Sequence, residues 1–115
     1  MVKFDLVTGA VAGRFQLPRG DCLVSEPTFV PKDRGSAKSA GAAGGLGAGP
    51  GWEEEGYLLL LSSRVKDGRR LDGESRLLIV DAAKMEGGAV AQVRLPADLP
   101  YGLHSEFVPW EALAE

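Results

Sequence analysis

The chain has 115 residues, 44% hydrophobic and 25% charged, with a formal net charge of −3. That is enough for one small domain and too apolar for a disordered tail, and the scattered Lys and Arg leave no basic footprint for a nucleic acid. One cysteine, Cys22, excludes an internal disulfide and fits a reducing compartment. The longest apolar run, YLLLL at 57–61, is far too short to span a bilayer, and MVKFDLVTGA at the N-terminus carries no address.

In chain order the elements are strands. VKFDLV alternates apolar and polar positions, TGA turns, and VAGRFQL returns, which predicts a hairpin over 2–17. LVSEPTFVP (23–31) is β-branched and apolar, with Pro27 marking an edge, a bulge or an irregular strand. Residues 35–51 hold seven Gly and five Ala and predict a flexible surface loop. No window of that insert has the G-x-G-x-x-G spacing of a phosphate cradle. GYLLLLSSRV (56–65) is a buried strand, and KDGRRLDGES (66–75) a polar connection with two Asp-Gly turn formers. RLLIVDA (76–82) returns, AKMEGG turns again, and AVAQVRLP (89–96) alternates as a half-buried strand. WEALAE, at the end, suits a short helical turn.

Successive strands with short polar turns and no amphipathic helix predict an all-β antiparallel meander, as in a sandwich, a barrel or a propeller blade. Six strands make roughly one and a half four-stranded blades, and a lone blade has open edges that invite mispairing. The pattern predicts a piece of a larger β protein, or a chain that pairs with something. His104 is the only histidine. Beside Pro100 and Gly102 it reads, by residue type, as a surface or satisfied side chain, because a metal takes several ligands.

Three stretches carry a resemblance. VSEPTFVPK at 24–32 is similar to [SG]EPxFVPR. EEEGYLLLLSSRVKDGRRLDGESRLLIVDAAKM at 53–85 resembles an acidic-Gly-Tyr-Leu strand, a variable connection and xLxIxDAxxM. VAQVRLPADLPYGLHSEFVP at 90–109 is similar to VAxVxLPxRVPYGFHGxFV. In order and spacing these resemble the C-terminal part of the carotenoid cleavage dioxygenase (carotenoid oxygenase) family, in wording nearest its plant and algal branch. VKFDLVTGAV also resembles the xxxDLxTGxx hairpin that comes before the first stretch, so nearly all of the chain is covered except the insert at 33–52.

The resemblance implies the last one to two blades of a seven-bladed β-propeller, and a parent enzyme that cleaves a conjugated double bond of a carotenoid or apocarotenoid with O2, giving two carbonyl products. It implies a non-haem Fe(II) held by four histidines. His104 lies in the family's PYGxHG motif and is implied as one ligand, the other three lying outside this chain. Glu26, in the EP motif, is implied as a carboxylate that accepts a hydrogen bond from the far nitrogen of a ligating histidine, which fixes tautomer and basicity. Which histidine it serves is left open. Pro100, Tyr101 and Gly102 are implied to shape the backbone that delivers His104. No residue here is assigned a catalytic role of its own.

Two departures stand out: Ser105 where the family has Gly or Ala, and Leu103 where it has Phe. Phe107 is expected to pack in the core and Cys22 to be a small buried hydrophobe. Glu53, Glu54 and Glu55 form a solvated run, and Trp52 and Trp110 flank loops. With one histidine, the isolated chain is expected to hold no iron and to be inactive. No nucleic-acid partner or transmembrane segment is expected; peripheral membrane contact would come from regions outside the chain, and the compartment would be plastid or cytoplasm. The alternative is a non-catalytic β module, a remnant blade that packs on a partner.

Overall fold

A computed structural model describes residues 1–32, 55–66, 70–108 and Leu113. The Gly/Ala insert, Trp52, Glu53, Glu54, Trp110 and all of the expected C-terminal helical turn but Leu113 lie outside the described residues. Within them the fold is all-β and antiparallel, with a 3-10 turn at Met85–Gly87. Strands β1 (Val2–Phe4) and β2 (Val11–Arg14) form a hairpin. Strands β3 (Asp21–Leu23), β4 (Thr28–Pro31), β5 (Gly56–Lys66), β6 (Arg70–Asp81) and β7 (Ala89–Arg94) form a five-stranded sheet. β5, β6 and β7 are a meander, and β3 and β4 share the other side of β5.

The hairpin is shorter than its alternation predicts. Asp5 Oδ1 accepts the amides of Val7 at 2.8 Å and Thr8 at 3.0 Å, and Gly9 adopts φ +70°. This turn chemistry overrides the strand pattern from residue 5 and leaves Leu6 and Val7 exposed. Those two amides also hold the Asp5 carboxyl below the ordinary carboxylate range, the bond from Thr8 contributing most.

The connection expected at 66–75 is mostly strand. β6 begins at Arg70, and Lys66 pairs with Arg70. Ser63 pairs with Ser75 but Val65 with Leu71, so the second Asp-Gly step lies in a bulge instead of a turn. Within the bulge, Glu74 Oε2 meets Arg64 Nη1 at 3.1 Å and Arg76 Nη2 at 2.9 Å. Both arginines also approach the buried carboxylate of Asp21, at 3.5 and 3.4 Å, which ties β3 to β5 and β6.

One face of the sheet carries the core. Leu60 and Leu78 are register partners and, like Val80, fully buried. Phe15 and Met85 close over them, and Met1, Leu17, Leu23, Leu58 and Ala89 pack at the margin. The Phe15 amide donates to Met1 O at 3.0 Å and extends the hairpin ladder by one pair, and it is the side chains of Phe15 and Met1 that join the hairpin to the sheet. β7 departs from expectation. It is an edge strand and mostly exposed, Val90 and Val93 included, because among the described residues nothing covers its faces. Phe107 is also exposed, not packed in the core.

Candidate metal-ligand site

The site grows from an interruption in the sheet edge. Leu23 pairs with Ser62 and Thr28 with Leu59, so residues 24–27 stand opposite only Leu60 and Leu61. Pro27 has no N–H to give the ladder. The surplus therefore bulges outward, carrying Glu26 with it. Val24 keeps one ladder bond, its N–H donating to Leu61 O at 3.0 Å. Its carbonyl is left to accept Gly102 N–H at 2.7 Å. That bond joins the bulge to the C-terminal segment.

The segment 99–105 lies along the sheet face opposite the core. Pairing and alternation put Cys22, Thr28, Ser63 and Ser75 on that face. Ser63 Oγ and Ser75 Oγ are buried and 2.6 Å apart, and Ser75 Oγ accepts Leu99 N–H at 2.9 Å. Tyr101 Oη lies 3.6 Å from Cys22 Sγ, a contact that raises the phenol's pKa. Thr28 Oγ1 lies 2.8 Å from Ser105 Oγ, and Ser105 Oγ donates to the Glu26 carbonyl at 3.1 Å.

Glu26 Oε1 lies 3.1 Å from His104 Nδ1. An ionised carboxylate can only accept, so this contact assigns a proton to Nδ1 and leaves the Nε2 lone pair free in the neutral ring. The imidazole is otherwise open, its side chain 85% exposed, and the Glu26 side chain is 49% exposed.

The structure thus brings together the two side chains that the sequence singled out. Gly102 acts through its N–H. Its φ is not positive, and a Cβ there would meet Val24 O at an ordinary 3.6 Å. Tyr101 reaches Cys22, which is half-buried by its own strand and this ring. Pro100 is exposed. Sequence reasoning missed Thr28, Ser63 and Ser75, whose only signal was a hydroxyl at an inward strand position.

A four-histidine iron centre can be tested against this donor set. One imidazole with Nδ1 on a carboxylate and Nε2 free is chemically suited to one corner of such a site. Among the described residues no group of three His, Cys, Asp or Glu could hold a metal ion, so the other corners would come from elsewhere.

The family model described as retinal pigment epithelial membrane protein matches residues 1–109. The chain belongs to this family, that of the carotenoid oxygenases. It is 34% identical, over 98% of its length, to a carotenoid 9,10(9',10')-cleavage dioxygenase of Crocus sativus. It is 36% identical over 76% of its length to a probable carotenoid cleavage dioxygenase 4, chloroplastic, of Arabidopsis thaliana. It is 33% identical over 93% of its length to the 9-cis-epoxycarotenoid dioxygenase NCED2, chloroplastic, of Oryza sativa subsp. japonica. The chain spans 19%, 12% and 16% of those three relatives. No solved structure matches it significantly. Among the described residues no helix is long and apolar enough to cross a membrane.

Proposed function

We propose that this chain is the C-terminal part of a non-haem Fe(II) dioxygenase that cleaves a conjugated double bond of a carotenoid or apocarotenoid with O2, giving carbonyl products. Its sheet would belong to the last one to two blades of a seven-bladed propeller. The observation that carries the reading is the 3.1 Å contact between Glu26 and His104, 78 residues apart, within the stretch that the family model matches. The names of the relatives support the substrate class.

When bound, the iron supplies the chemistry that activates O2. This chain's residues prepare one corner. The Glu26 carboxylate holds the proton on Nδ1 and orients the ring so that Nε2 is left for the metal. The bulge at 24–27 presents the carboxylate, and the hydrogen bonds of Gly102 and Ser105 hold the ligand segment beside it. The Lys32 amide donates to Glu55 O at 2.9 Å, so the described residues on either side of 33–54 meet.

The test joins this chain to the preceding propeller of a carotenoid cleavage dioxygenase. His104→Ala should abolish iron retention and turnover. Glu26→Gln should lower metal affinity or activity about 10–100-fold. A non-catalytic module predicts the opposite: both variants would retain iron and activity whenever the unmodified chimera does.

A further inference from the structure

The Glu26–His104 contact is exposed on both sides, and an exposed pair of this kind contributes little by itself. Segment 99–107 has no regular secondary structure to hold it. Something else must keep the ring in register with the carboxylate. Between residues 100 and 108 every side chain is exposed except that of Ser105, the residue next to His104.

Its hydroxyl lies between two groups of the opposing segment. It is 3.1 Å from the Glu26 carbonyl and 2.8 Å from Thr28 Oγ1. Each hydroxyl has one proton. One assignment satisfies both contacts: Ser105 O–H donates to the Glu26 carbonyl, and Thr28 O–H donates to Ser105 Oγ. The Thr28 proton has a second acceptor in the Ser105 carbonyl at 3.2 Å. Residues 26 and 104–105 are therefore linked twice, through the Glu26 side chain to the imidazole and through the Glu26 main chain to the next residue. Thr28 is fixed in turn by β4, where it pairs with Leu59.

We infer that Thr28 and Ser105 form a hydroxyl clamp that positions the His104 imidazole on Glu26. Both are positioning residues, acting through the backbone of the bulge. The consequence for a metal rests on the reading of His104 as a ligand, but the clamp itself is measurable without one.

The test uses the 115-residue chain without metal. Amide hydrogen exchange at Gly102, whose N–H donates to Val24 O beside the clamp, and the 15N signals of the imidazole are followed in Thr28→Val, Ser105→Ala and Thr28→Ser. Losing one net hydrogen bond should speed exchange at this amide roughly three- to tenfold and weaken the Nδ1–H signature of the ring. Thr28→Ser, which keeps the hydroxyl, should behave like the parent. Ser105→Ala lies in coil outside the strands and guards against a folding failure at the strand position. The clamp is overturned if Ser105→Ala leaves exchange and ring signals unchanged, or if Thr28→Ser is as disturbed as Thr28→Val. The metal reading fails separately, if His104→Ala retains iron in the chimera.

Discussion

The two faces of the five-stranded sheet are secured by different chemistry. On one, Leu60, Leu78 and Val80 are fully buried beneath Phe15 and Met85. On the other, a coil is held to the strands by Leu99 on Ser75, Gly102 on Val24, Ser105 on Glu26 and Thr28, and His104 on Glu26. Apolar burial is non-directional and sustains the fold with little regard to where one side chain ends. Hydrogen bonds are directional, so they fix where a ring nitrogen sits while adding only about 0.5–1.5 kcal/mol each. Substitutions on the first face should change whether the chain folds, and those on the second where His104 lies.

The largest effect should come from the apolar face. Leu78→Ala removes a side chain with no solvent exposure and should cost about 2–5 kcal/mol in denaturant unfolding. A cost under about 1 kcal/mol would mean that this face is not the core. Ser75→Ala comes next. It leaves the Ser63 hydroxyl and the Leu99 amide without their shared partner, at about 1–3 kcal/mol, and should speed amide exchange from Leu99 onward more than in the hairpin. Uniform loosening of hairpin and coil alike would erase the distinction between the faces.

The smallest effect belongs to a polar contact away from the coil. Lys32 Nζ donates to Asp81 Oδ2 at 2.8 Å and lies 4.9 Å from the Tyr57 ring centroid. The Lys32 bond, with Ala83 N–H, lowers the Asp81 pKa, and the same bond raises that of Lys32. The Asp81 contribution to stability is therefore present above its ordinary 3.8 and is lost as pH falls through the lower folded value. That of Lys32 is present below 10.5 and is lost as pH rises through the higher folded value. Asp81→Asn should flatten both ends of the stability–pH curve slightly and leave the His104 ring signals unmoved. Moved ring signals would tie this pair to the site.

Much of this was legible in the sequence, for different reasons at different places. Strands 56–65 and 76–82 declared themselves through apolar runs long enough to outweigh other signals. Pro27 signalled an edge interruption but not its consequence, since a bulge is defined by the partner strand and β5 lies beyond the insert. Asp72-Gly73 read as a turn because the residue types that favour turns also favour bulges. The alternation in AVAQVR promised a half-buried strand, but burial needs a covering layer, which a period of two cannot supply. Glu26 and His104 were visible only through resemblance. Their pairing, and the part played by Thr28 and Ser105, depend on register across 78 residues, which no local pattern encodes.

The central claim is that Glu26 holds the proton on Nδ1 of His104 and leaves Nε2 free. The most direct measurement is 15N NMR of the imidazole in the 115-residue chain, at a pH where the ring is neutral. The account predicts a protonated Nδ1 and an unprotonated Nε2, with a shift toward the Nε2–H tautomer in Glu26→Ala. A ring protonated on Nε2 in the parent and unchanged by Glu26→Ala would contradict it.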